Sequence, residues 1–143
     1  MSDQNKEVVQ RLYDEFVSQG SDAALDEVVV EGVVENEEMP AEMPAGREGI
    51  RAMFGMFREA FPDLSADVIS MVAEGDRVVA HAAFSGTQEG EWMGVPASGK
   101  SFRSEVMDMF RLEDGRIAEH WGVMDQMGMM VQLGAIPDPA SEG

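Results

Sequence analysis

The chain has 143 residues, of which 28 are acidic and 10 basic, with two histidines and no cysteine. This length predicts a single domain over 1–143 rather than a multi-domain enzyme, and the lack of cysteine excludes disulfides and thiolate metal sites. No apolar run approaches the roughly 20 residues of a membrane span, and a formal charge of −18 disfavours nucleic acid, whose phosphates attract clustered cations. Because no secretory signal is visible either, we expect a cytoplasmic protein with neither membrane nor nucleic-acid partners.

Two helices are predicted at the start of the chain. Residues 3–19 repeat apolar side chains at helical spacing and end at Gly20. Tyr13 lies on the inward stripe, where its hydroxyl either reaches into a pocket or bonds to the backbone. Ser21 can cap a short second helix, which we expect to include Val29.

The next segment predicts a brief strand, a connector and a third helix. Residues 33–38 are acidic and lead into a connector, 39–46, whose two prolines prevent a helix. Asn36 stands where the strand enters the connector, either at the rim of a cavity or in an exposed acidic cluster. The third helix begins at residue 47, carries Phe57 on its apolar stripe and ends before Pro62.

Four strands are predicted in the second half, as two hairpins over 64–86 and 101–124. The loop between the hairpins carries Trp92 and Met93, so we expect it to fold onto an apolar surface. Asp125 is expected to cap a last short helix, and residues 137–143 to form a loose acidic tail. The order of elements predicts an α+β domain, with a core over about 6–134, whose helices cover a curved, mostly antiparallel sheet and enclose a pocket.

The register of the second hairpin decides which side chains share the pocket. A three-residue loop over 113–115 would place Asp108 opposite His120, close enough for the carboxylate to raise the basicity of the imidazole. A two-residue turn would instead set Asp108 against Trp121. The pair is either a general acid/base pair or a satisfied polar pair in a sheet. The rest of the face is apolar and comprises Val106, Phe110, Ala118, Gly122 and Met124.

Three segments resemble the SnoaL-like polyketide cyclase family, which shares a cone-shaped fold with nuclear transport factors and ketosteroid isomerases. They are residues 44–63, 90–100, and 110–121 with 132–134, and the similarity covers about residues 6–134. The resemblance implies a SnoaL-like cone and ring closure without a cofactor. In that reaction a carboxylate removes a proton next to a carbonyl, and the enolate attacks a second carbonyl of the same molecule.

The chain departs from the family at one position. The family's acid/base Asp lies two residues beyond the histidine that corresponds to His120, and this chain has Gly122 there. The resemblance therefore implies either that Asp108, helped by His120, takes over as the base, or that cyclase chemistry is lost. It also leads us to expect that Gly122→Asp would raise activity, and it sets Asn36 near a polar pocket position.

The leading hypothesis is a cyclase- or isomerase-type enzyme that acts on a small, mostly apolar carbonyl compound, with Asp108 and His120 as catalytic residues and neither cofactor nor metal. The alternative, favoured by Gly122, is a non-catalytic protein that binds a hydrophobic small molecule in the pocket. We also expect a homodimer through the outer sheet face, where Ile117, Trp121 and Val123 would otherwise leave an apolar patch. The predicted substrate-binding residues are Tyr13, Asn36, Phe57, Trp92, Met93, Phe110 and Met124.

The acidic side chains run through every segment, which is typical of a globally acidic, salt-adapted surface. Because salt screens the repulsion between like charges, the fold should be less stable at low ionic strength. Thermal unfolding in dilute buffer and in molar salt tests this expectation. Equal midpoints in the two conditions would contradict it.

Overall fold

The computed structural model describes residues 2–138. Of the predicted tail, only 137 and 138 fall within the described residues. Among residues 2–138, no helix is long and apolar enough to cross a membrane. In chain order the elements are α1 (Ser2–Arg11), a π-helical segment (Leu12–Val17), α2 (Asp22–Val28), β1 (Val29–Glu35), α3 (Arg47–Ala60), β2 (Ser65–Glu74), β3 (Arg77–Thr87), β4 (Ser101–Glu113), β5 (Arg116–Met124) and α4 (Gln126–Gln132).

The five strands form one sheet in the order β1-β5-β4-β3-β2. Strands β2 to β5 are the two predicted antiparallel hairpins, joined side by side. Strand β1 adds a fifth strand, parallel to β5, with Glu35 paired with His120. The α+β prediction is confirmed. The parallel edge strand was not predicted, because a strand that pairs with a segment so distant in sequence has no turn between the two to mark it.

The first two helices differ from their predicted bounds. The first is α-helical only as far as Arg11, after which one π-helical turn carries the chain to Val17. In this turn Ser18 donates its backbone N–H to the carbonyl of Tyr13, five residues earlier, at 3.0 Å. The second helix ends at Val28, so Val29 begins β1 and is not the last residue of α2. The wider π turn and the early start of β1 both place side chains in the lining of the pocket.

One buried apolar cluster, extending from Val9 to Leu133, holds the helices against the sheet. The loop between the hairpins packs onto it, as expected: Trp92 is buried and stacks on Phe57 of α3, with ring centroids 4.5 Å apart. The loop is held by the buried side chain of Gln88, which donates to the carbonyl of Val95 at 2.9 Å and accepts from the Ser98 hydroxyl at 2.7 Å. This loop therefore forms a fixed wall of the pocket.

The predicted register of the last hairpin is wrong by two residues. The turn has two residues, Asp114 and Gly115, both with positive φ, as in the primed turns that suit hairpins. A bulge then skips one residue of β5, so that Asp108 pairs with Gly122 and Phe110 pairs with His120. The shorter turn and the bulge together shift the register by two residues, which leaves Asp108 and His120 on the same face of the sheet.

The bulge also changes the outer face. Ile117, predicted to lie on that face, is buried and lines the pocket. It pairs with Leu112 on the turn side of the bulge, where the alternation of faces is offset by one residue. Trp121 and Val123, beyond the bulge, remain on the outer face. The predicted apolar patch therefore loses one of its three members.

Candidate active site

A cavity of about 170 Å³ lies between the inner face of the sheet, the π-helical segment and α3. Its walls are mostly aromatic and aliphatic, and its titratable groups gather where β1, β4 and β5 lie side by side. Six of the predicted binding residues line the cavity: Tyr13, Phe57, Trp92, Met93, Phe110 and Met124.

A chain of hydrogen bonds crosses the polar end of the cavity. The Tyr13 hydroxyl donates to Asp108 Oδ2 at 2.5 Å. The other carboxylate oxygen, Oδ1, lies 2.8 Å from His120 Nε2, and His120 Nδ1 lies 2.6 Å from Glu35 Oε2. The structure therefore brings Asp108 and His120 together, and adds a tyrosine on one side and a second carboxylate on the other.

The protonation of this chain follows from its geometry. Burial alone would lower the pKa of His120, but its hydrogen bonds to Asp108 and Glu35 outweigh burial and raise that pKa to about 10. At neutral pH the ring is therefore an imidazolium that donates from both nitrogens. Burial, followed by the charge of Asp108 and the hydrogen bond to it, raises the pKa of the Tyr13 hydroxyl well above its usual value, so the phenol keeps its proton. Asp108 thus faces two donors.

Asn36, predicted at the pocket, lies outside it. Its side-chain amide is exposed and donates to Glu119 Oε2 at 3.0 Å and to the carbonyl of His120 at 3.1 Å. Successive side chains of an extended segment point to opposite faces, so the inward positions fall to Glu35 and Glu37, both of which line the cavity. The sequence contained the signal for these two carboxylates, the alternation through 35–37, but not the parallel pairing that sets which face is inner.

Glu37 differs from the other carboxylates of the cavity. Its backbone N–H donates to Glu35 Oε2 at 3.3 Å, whereas within residues 2–138 its own carboxyl has no hydrogen-bond partner. Burial raises the pKa of Glu37 to about 7; the imidazolium of His120 opposes this rise, and the carboxylates of Asp108 and Glu35 add to it. At neutral pH the group is therefore present in both its protonated and its ionised forms.

Comparison with known proteins shows which family the chain belongs to. The family model for SnoaL-like polyketide cyclase matches residues 7–133. The chain belongs to this family. Aklanonic acid methyl ester cyclase DnrD of Streptomyces peucetius is 32% identical over 99 residues, which are 68% of each chain.

Two solved structures of proteins from Streptomyces species share the fold of this SnoaL-like protein. TsrD of Streptomyces laurentii superposes with a TM-score of 0.87 at 32% identity, over 95% of this chain and 98% of its own. Wild-type IdmH of Streptomyces antibioticus does so with a TM-score of 0.80 at 33% identity, over 92% and 99%. The predicted cone fold is thereby confirmed.

The family resemblance leads us to expect an aspartate at position 122. The position of the Asp108 side chain accounts for the glycine found there. A Cβ atom at position 122 would overlap Asp108 Oδ1 and lie 2.9 Å from Cε1 and 3.0 Å from Nε2 of His120. The glycine therefore makes room for the Asp108 carboxylate to reach the histidine from the neighbouring strand. The expectation that Gly122→Asp would raise activity stays a prediction, and the new side chain would have to displace the Asp108 carboxylate.

Glu35, Glu37 and His120 place one ligand atom each within 4.8 Å of one another, which is the spacing of a possible metal site. The histidine does not suit that role at neutral pH. Both of its nitrogens are engaged by carboxylates, and an imidazolium has no lone pair to offer a metal ion. The donor set thus fits proton transfer better than metal binding.

The raised pKa of His120 makes stability depend on pH. Because the folded state holds this proton more tightly than the unfolded state, where the pKa is near 6.5, the contribution is complete below about pH 6.5 and is lost as the pH rises through about 10. We expect the midpoint temperature of thermal unfolding of the wild type to decrease as the pH is raised from about 6.5 to about 10. The midpoint of His120→Gln should decrease much less over the same range. Parallel curves for the two proteins would contradict the assignment.

Proposed function

We propose that this protein catalyses cofactor-free ring closure of a small, mostly apolar carbonyl compound by acid/base chemistry. The observation that carries the proposal is a carboxylate, Asp108, at the end of an otherwise apolar cavity, held there by Tyr13 and His120. The name of the DnrD relative, a cyclase of aklanonic acid methyl ester, supports this class of reaction.

Asp108 is the proposed base. Each of its oxygens accepts one hydrogen bond from a neighbouring side chain, and each has a second lone pair with which to take a proton from the substrate. Tyr13 and His120 act as positioning residues, since they fix the plane of the carboxylate. The positive charge of His120 also stabilises the enolate that forms next to it, in a mostly apolar cavity.

The cavity limits what can bind. A space of about 170 Å³ is close to the ~150 Å³ that holds a single benzene ring, so it accepts a small compound whole. A larger polyketide could insert only its reacting end. The remainder would lie at the mouth, where the exposed lining residues Glu38, Met93 and Gln126 are found.

Asp108→Asn should lower turnover by about 10²- to 10⁴-fold and leave ligand affinity nearly unchanged, because the amide keeps the shape of the carboxylate but cannot take a proton. The test follows two compounds, aklanonic acid methyl ester and heptane-2,6-dione, a linear diketone small enough for the cavity that can close to a six-membered ring. Deuterium uptake from solvent next to the carbonyl measures proton removal, and the cyclic product measures closure.

Equal turnover by Asp108→Asn and the wild type would contradict the role of Asp108. If the wild type binds both compounds and promotes neither deuterium uptake nor closure, the protein is better described as a non-catalytic pocket protein. Gly122 is compatible with either description, since it leaves room for the contact between Asp108 and His120.

We also propose a homodimer through the outer face of the sheet. Met107 and Val123 are exposed and pair with each other across β4 and β5, and the exposed Val72 lies on the same face of β2, beyond the intervening β3. Three of the eight arginines, Arg77, Arg103 and Arg111, surround them beside acidic partners. In a chain of charge −18 these arginines offset part of the negative charge of this face, which lowers the repulsion between two copies that meet here.

Val123→Glu should convert the dimer to a monomer, because it buries a charge within the proposed contact. Met127→Glu is the matched control: Met127 is similarly exposed, at 63% against 69% for Val123, but lies on α4. Sedimentation in molar salt gives the mass. A monomeric wild type, or a monomer produced equally by both variants, would contradict the proposal.

A further inference from the structure

We propose that Glu37 is a second catalytic residue, the acid that protonates the oxygen formed when the ring closes. The inference rests on the proposed function, because it completes the reaction that Asp108 begins. It follows from an inventory of the protons available in the cavity, together with the position of the Glu37 carboxyl among the groups that hold them.

Among the described residues, the other titratable groups that hold protons at the polar end of the cavity are already engaged. The Tyr13 hydroxyl donates to Asp108, and the two nitrogens of His120 bond to Asp108 and Glu35. To donate to substrate, any of these groups would have to break a short contact with a carboxylate. Ring closure nevertheless creates an oxygen that must receive a proton, so a free donor is needed.

Glu37 meets this requirement. It lines the same cavity, and within residues 2–138 no hydrogen bond engages its carboxyl. One of its oxygens lies within 4.8 Å of both the Glu35 carboxylate and a His120 nitrogen, so it is next to the hydrogen-bonded chain without being part of it. The charged groups that act on it are Glu35 from β1, Asp108 from β4 and His120 from β5. Two negative charges and one positive charge surround a partly buried acid.

The two carboxyl groups therefore have complementary environments. The Asp108 carboxylate accepts hydrogen bonds from two donors, whereas the Glu37 carboxyl has no donor, and burial raises the pKa of Glu37 to about 7. Two carboxyl groups in such different environments are typical of sites that need one base and one acid at the same pH.

The step balances as follows. Asp108 takes the proton from the carbon next to one carbonyl, and the resulting electron pair forms the new carbon–carbon bond to the second carbonyl carbon. The π electrons of that second carbonyl move onto its oxygen, which takes the proton of Glu37. Asp108 is left protonated and Glu37 ionised, and both return to their starting forms by exchange with solvent after the product leaves.

The test separates proton removal from ring closure, with heptane-2,6-dione as the probe and four proteins: the wild type, Glu37→Gln, Asp108→Asn and the control Glu42→Gln. Glu42 is an exposed carboxylate of the same connector that does not line the cavity. We expect Glu37→Gln to keep deuterium uptake within about twofold of the wild type while closure falls by about 10²-fold or more. Asp108→Asn should lose both activities and Glu42→Gln neither.

The pH dependence gives a second readout. Wild-type closure should decline as the pH rises through about 7 and Glu37 loses its proton, while deuterium uptake does not decline over the same range. Infrared difference spectra should show the carbonyl stretch of a protonated carboxyl below that pH in the wild type and in Glu42→Gln, but not in Glu37→Gln. The spectra need no substrate, so they check the protonated acid independently of turnover.

The outcomes are distinguishable. Closure by Glu37→Gln at the wild-type rate, or loss of deuterium uptake together with closure, would overturn the assignment of Glu37 as the acid, and so would the absence of its infrared band. Deuterium uptake that is lost only in Asp108→Asn, with closure lost in both variants, supports it. A wild type that promotes neither reaction would overturn the proposed function itself, and this assignment with it.

Discussion

The imidazolium of His120, held between Asp108 and Glu35, is the interaction on which the rest of the site depends. It connects three neighbouring strands, β1, β5 and β4, at the point where they face the cavity. A positive charge buried alone would be costly, and so would either carboxylate. Together they satisfy one another, and Tyr13 adds a proton donor from the helical layer. The contact therefore both holds the polar end of the cavity together and sets its charge.

The surrounding sequence accommodates this contact. Gly122 leaves room for the Asp108 carboxylate, and the β5 bulge keeps Asp108 and His120 on one face despite a two-residue turn. On the helical side, the π turn follows α1 where Tyr13 meets the cavity; such turns are often found at functional sites. Glu37 lies beside these hydrogen-bonded groups and is not bonded to them through its carboxyl. Its carboxyl lies in the same cavity with no donor of its own, and burial raises its pKa to about 7, so that part of it is protonated at neutral pH.

The sequence predicted most of the fold because its signals are local. Helical periodicity found α3, Pro62 marked its end, and the glycine turns marked both hairpins. The face shared by Asp108 and His120 was also predicted, although by the wrong register: the true pairing depends on a bulge that no local residue signals. Glu35 and Glu37 were missed and Asn36 was predicted in their place, because the inner face of β1 depends on its parallel pairing with β5. That pairing joins segments 85 residues apart, as the contact between Glu35 and His120 shows.

The charge state of His120 is the most direct test of this account. Nitrogen NMR of the protein labelled at histidine, recorded near pH 8, distinguishes a ring protonated on both nitrogens from a neutral tautomer, and His81→Gln assigns the signals since the chain has only two histidines. We expect both His120 nitrogens to carry protons in strong hydrogen bonds, and Asp108→Asn to weaken one of them. A neutral ring with one unprotonated nitrogen at this pH would contradict the central claim.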